Sequence, residues 1–158
     1  MKKQKGFSLI ELLIVVAIIL IIAAIAIPNL LRSRMAANEA SAVGSLRTIN
    51  TAEVTYATSY PTEGFAVNLG ALGGAAPCTT AVLAAACLID EVLSVSGKKS
   101  GYTFAAPGSG ALPRVAYTAT AVPSLVGSSG QRGFFSDQSG VIRYTLDGSV
   151  PTTSSPAL

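Results

Sequence analysis

Polar and apolar residues are unevenly divided along this chain. From Leu12 to Ile27 there are sixteen consecutive apolar residues, closed by Pro28. Counted from Phe7, the apolar stretch is 21 residues long with one charge, Glu11. As a helix it would be about 31 Å long, close to the ~30 Å hydrocarbon thickness of a bilayer. A membrane-crossing helix pairs every backbone group internally, and this stretch predicts one over residues 7–28. Residues 29–60 are amphipathic instead. At 100° per residue Ala42, Leu46, Ile49, Tyr56 and Tyr60 fall on one stripe, which should pack on a globular head. Glu53 falls within that stripe, so an arginine partner is expected for it, or a place at the edge of the buried face. Pro28 either ends the first helix or kinks it by removing a donor. Helix-forming sequence resumes at once, which favours a kink, and Tyr60-Pro61 ends the helix.

Beyond Pro61 the pattern shortens. Residues 62–77 are rich in Gly and Ala and read as loop. Residues 79–93 place Val82, Ala85, Ala86, Ile89 and Leu93 at helical spacings and predict a short helix. Gly97-Lys98-Lys99-Ser100-Gly101 reads as a turn, after which the period moves towards two. Four strands are predicted over 102–106, 115–122, 133–136 and 141–145, the last two joined as a hairpin by Asp137-Gln138-Ser139-Gly140. Residues 148–158 form a polar tail with little to pack. The fold class is α+β: one long N-terminal helix, its first half transmembrane, packed on a four-stranded antiparallel sheet.

Composition narrows the chemistry. The chain has 158 residues, half of them apolar, with no histidine and a formal charge of +3. Lys2, Lys3 and Lys5 account for that excess, because the chain beyond Gly6 carries 8 basic and 8 acidic side chains. The basic balance therefore predicts no specific nucleic-acid binding, which needs a basic face on the folded domain. Absent histidine excludes Ser–His and Cys–His dyads and imidazole metal ligands. No acid, base and nucleophile constellation is visible, so the chain reads as non-enzymatic, with no cofactor.

The leading lysines favour a cytoplasmic N-terminus, opposed in part by Arg32 and Arg34. Two plain readings compete for the apolar stretch. Ala24-Ile25-Ala26 has the form cut by ordinary signal peptidase, which would release a secreted binding module, but the apolar core exceeds the usual 7–15 residues. A simple anchor gains nothing from Glu11, and a charge in lipid needs a reason.

Lys5-Gly6-Phe7-Ser8-Leu9-Ile10-Glu11-Leu12-Leu13-Ile14-Val15-Val16 resembles the N-terminal signature of type IV pilins and of the pseudopilins of type II secretion systems. The resemblance is specific over about residues 5–34 and only architectural beyond. It implies a leader, residues 1–6, removed by prepilin peptidase between Gly6 and Phe7, with Phe7 N-methylated. It implies an assembly role for Glu11 and a helix kink at Pro28, and it identifies residues 61–158 as a pilin-like head. The protein would sit in the inner membrane before assembly, passing from lipid, with inner-membrane assembly machinery, into a helical homo-oligomeric filament. The filament would be an extracellular pilus or, in the alternative, a periplasmic pseudopilus with this chain as major pseudopilin. In such an exported head Cys78 and Cys87 are expected to form a disulfide.

Weaker patterns favour plain readings. Gly97-Lys98-Lys99-Ser100 lacks the earlier glycine of a phosphate-binding loop, where Val92 stands. Asp137 and Asp147 do not match an EF-hand spacing, and no metal site is assigned.

Overall fold

The computed structural model describes residues 7–74 and 77–158. They divide into two compact units, residues 1–34 and 35–158. Helix α1, Leu9–Ser59, runs through both, with Pro28 inside it. It starts with one half of a capping box: the Glu11 carboxylate accepts the Ser8 amide at 2.9 Å, in the Ser-x-x-Glu spacing that satisfies an orphan donor at a helix start. The helix ends before Tyr60-Pro61, as the restricted backbone before proline requires.

In the second unit Ala42, Leu46, Ile49 and Tyr56 are buried, as the wheel predicts. They join a core with Tyr102, Phe104, Tyr117, Ala119, Ala121 and Phe134 from the sheet. The strands are β1 Lys98–Lys99, β2 Tyr102–Ala105, β3 Gly108–Ser109, β4 Ala116–Pro123, β5 Gly133–Asp137 and β6 Arg143–Thr145. They run antiparallel in the order β1-β2-β4-β5-β6, with β3 also on β4. The four expected strands are present, and the sheet gains two short ones. Within the turn expected over residues 97–101, Lys98 and Lys99 instead pair with Thr103 and Tyr102. Only Ser100 and Gly101, with φ of 50° and 72°, form the turn itself, the left-handed pair that a tight hairpin needs. Strand β4 alternates cleanly, with Tyr117, Ala119, Ala121 and Pro123 buried.

Three expectations fail. No helix spans 79–93. As a straight helix its nine-residue step would put Cys78 and Cys87 about 13 Å apart, whereas their Cα atoms lie 5.7 Å apart and the two are disulfide-bonded. The bridge folds the chain back, Val82 and Ala85 exchange backbone hydrogen bonds, and the Ala86, Cys87 and Leu88 amides donate to Ala71, Gly73 and Leu72. Helical hydrogen bonding begins only at a π-helical turn, Val92–Ser96.

Second, the 62–77 loop contains a short helix, α2 Leu69–Leu72, whose first turn is capped by the Asn68 side chain. Third, the tail is not idle. The Tyr144 amide donates to Pro156 and the Leu158 amide to Ile142, Arg143 Nη1 reaches the Ser155 carbonyl at 2.8 Å, and Pro151 is buried. An edge strand leaves donors and acceptors unpaired, and here the tail supplies the partners for β6.

Candidate assembly helix and the residues around it

The feature of the first unit is an apolar helical surface. From Leu9 through Leu31 the large apolar side chains are exposed, Ile10 by 64% and Ile25 by 72%. A helix apolar all round is built for an environment other than water, and α1 is long and apolar enough to cross a membrane. Phe7, the residue assigned to methylation, is exposed at the start of this surface. Gly6, the residue before the expected cut, lies outside the described residues. Glu11 is exposed one turn into the helix, its carboxylate on the Ser8 amide. The same carboxyl therefore caps the helix as well as being the lone charge of the stretch. Pro28 stands within continuous helix rather than at its end.

The head carries the other notable acids. Glu39, which the sequence reading did not single out, is buried against the β4–β5 connection. Its Oε1 accepts the Gln131 amide at 2.9 Å and the Arg132 amide at 3.1 Å, and Oε2 accepts Arg132 Nε at 2.7 Å. Burial by itself would raise its pKa. The Gln131 amide and the Arg132 side chain and amide outweigh burial and hold the carboxyl below its ordinary value. The arginine expected for Glu53 is thus spent on Glu39, two helical steps of seven towards the N-terminus on nearly the same stripe. The signal was available: Glu39 lies about 40° from Glu53 on the wheel, computed at 100° per residue.

Glu53 itself makes no ion pair among the described residues, so the expected arginine partner is not found. It is fully buried, with Oε2 accepting the Ala66 amide at 2.8 Å. Burial pushes its pKa up to about 7 against that single hydrogen bond.

The two aspartates of the weaker patterns serve local turns. Asp137 accepts the Ser139 amide and hydroxyl, and Asp147 accepts the Ser149 amide and hydroxyl. Lys99 pairs with Asp90. Among the described residues no group of three His, Cys, Asp or Glu side chains is placed to hold a metal.

Comparison with known proteins bears on the first unit. The family described as the prokaryotic N-terminal methylation motif matches residues 1–27. The type IV wide pilus major component of Thermus thermophilus is 64% identical over 39 residues, 25% of this chain and 30% of the relative. The type IV major pilin of Myxococcus xanthus is 44% identical over 54 residues, 34% of this chain and 24% of the relative. The chain thus aligns with less than a third of the length of either relative. No solved structure matches it. Through its N-terminal methylation motif and the apolar helix that follows, the chain is similar to type IV pilins over its N-terminal part.

Proposed function

We propose that this chain is the structural subunit of a type IV pilus, with no catalytic role of its own. Prepilin peptidase cuts between Gly6 and Phe7, Phe7 is N-methylated, and the subunit waits in the inner membrane with its N-terminus towards the cytoplasm. Assembly machinery then moves the apolar helix out of lipid and into a bundle of identical helices, an environment of similar polarity. The head becomes the filament surface.

The observation that carries this reading is the all-round apolar exposure of residues 9–31 beneath a single carboxylate, in a segment that matches the methylation motif. Cleavage would leave a cation on Phe7. Two unit charges 4 Å apart at an effective dielectric of 20 attract by about 4 kcal/mol before desolvation is subtracted. Glu11 of a neighbouring subunit could accept that cation and fix the axial register, which apolar packing alone leaves loose. Two measurements test the proposal. Mass spectrometry of the mature N-terminus should find methylated Phe7, whereas Ile27 at the terminus would mean release by ordinary signal peptidase. Electron microscopy of sheared surface fibres, with peptide mapping, should find this chain as their subunit. A fibre confined to the periplasm would make it a pseudopilin instead.

A further inference from the structure

The second unit contains a buried acid that the filament reading does not use. Glu53 is 0% exposed, yet only one of its oxygens is engaged; Oε1 has no hydrogen-bond partner among the described residues. The groups that face it are committed elsewhere. From α1, the Tyr56 hydroxyl donates to the Leu83 carbonyl at 2.8 Å. From β4, the Tyr117 hydroxyl donates to Asn50 Oδ1 at 3.0 Å. Arg114 pairs with Glu63 at 3.5 Å, so both charges of the flanking segments answer each other. The Tyr60 ring packs on Tyr56 at a tilt of 48°, with centroids 4.8 Å apart, and Asp137, at the end of β5, acts on Tyr117 rather than on Glu53. Among the described residues no cation pairs with the Glu53 carboxyl.

The one bond Glu53 makes fastens a specific piece of chain. After α1 the backbone turns at 61–64, where the Glu63 and Gly64 amides both donate to the Tyr60 carbonyl. The Phe65 amide donates to the Arg114 carbonyl and the Arg114 amide to the Glu63 carbonyl. The Phe65 ring lies 4.8 Å from that of Tyr117, and Ala66 then donates to Glu53. Beyond it, Glu63, Val67 and Asn68 line a cavity of about 410 Å³, with Tyr56, Leu83 and Arg114 among the other walls.

We propose that Glu53 is a proton-operated latch: while neutral it holds residues 61–67 down on the head, and its ionisation releases that segment. The pH dependence follows from linkage. A carboxylate with a single amide donor and no cation is poorly tolerated where it is buried, and well tolerated once the segment lifts and water reaches it. The open state therefore binds fewer protons than the closed one, and rising pH favours opening. This inference stands apart from the filament reading and would hold for the unassembled subunit.

Hydrogen exchange at the Ala66 amide, measured in the full chain in detergent micelles and corrected for the intrinsic rate at each pH, tests the latch. With Glu53 titrating near 7 when closed and near 4.5 when open, the opening constant should rise on the order of ten- to a hundred-fold from pH 5 to pH 8. Glu53→Gln keeps an acceptor for Ala66 and loses the titration, so its opening should not vary with pH. Wild-type opening that is constant across this range, or a variant that opens with pH just as the wild type does, would overturn the proposal. Should the variant fail to fold, carboxyl carbon NMR of Glu53 in the wild type decides. A midpoint near 7 supports the latch, and an ordinary carboxylate midpoint rejects it.

Discussion

Glu39 and Arg132 are joined side chain to side chain at 2.7 Å across 93 residues of sequence. Because the same carboxylate also takes the backbone amides of Gln131 and Arg132, Glu39→Ala leaves two part-buried amides without this charged acceptor. The expected loss is about 2–3 kcal/mol of head stability, discounted because Arg132 is itself 37% exposed and reaches solvent. Urea denaturation followed by tyrosine fluorescence checks it. Glu39→Gln, which keeps an acceptor, should lose less.

Glu39 and Glu53 impose opposite slopes on stability against pH. The folded pKa of Glu39 is lowered, so its contribution is present above the unfolded carboxyl value of 4.5 and is lost as pH falls through the folded value. That of Glu53 is raised to about 7, so its contribution is complete below 4.5 and is lost as pH rises through about 7. The urea midpoint should therefore peak at about pH 4.5 and fall on both sides. Glu53→Gln should flatten the alkaline side alone.

The Cys78–Cys87 bridge closes a short loop that also carries Leu83, the acceptor for the Tyr56 hydroxyl. Replacing both cysteines by alanine should lower stability by about 2.7 kcal/mol on the chain-entropy account. The loss should appear in denaturation of the oxidised wild type against the variant, and reduction of the wild type should reproduce it.

Two glycines should respond in opposite senses. A Cβ at Gly133 would lie 2.0 Å from the Ser149 carbonyl oxygen, a backbone atom with no rotamer to change. Gly133→Ala should cost about 2 kcal/mol or more, as overpacking does. Gly44 is on the exposed face of α1 with nothing within 4 Å of an added Cβ, so Gly44→Ala should stabilise the subunit by about 0.5–1 kcal/mol through helix propensity. Thermal melts of the two variants separate the cases.

Glu11 has two separable properties, a cap and a charge. Glutamine serves in a capping box as glutamate does but cannot neutralise a cation. If the charge drives assembly, Glu11→Gln and Glu11→Ala should both insert in the membrane and both give few sheared filaments. Normal yield from Glu11→Gln with a defect in Glu11→Ala would make the cap the working property.

Local signals were legible where one stretch of chain decides its own structure. Tyr60-Pro61 ended the helix as the restriction before proline demands. At the β5–β6 hairpin, the Gly140 amide closes on the Asp137 carbonyl at 2.8 Å, in the turn read from those four residues. The spacing of Val82, Ala85 and Ile89 failed because the amides of residues 86–88 find acceptors around α2, a partner no periodicity reveals. The polar tail misled for the same reason, since its role is set by the open edge of β6. At Glu53 the stripe gave the burial correctly but not the missing cation, because Arg132 could be assigned between two acids on one face only in three dimensions. Ser8 and Glu11 were legible and overlooked, the spacing being that of a capping box.

Asn50 receives the Tyr117 hydroxyl from β4 at 3.0 Å and gives its own amide to Ser136 Oγ of β5 at 2.8 Å. One side chain on α1 thus reads two neighbouring strands at once, and sliding the helix by a single turn of about 5.4 Å would strand all three groups. Chimeras built from this protein inherit that constraint: a head grafted onto another subunit's rod must bring its own stretch of helix from Glu39 to Tyr56, and the seam belongs before it.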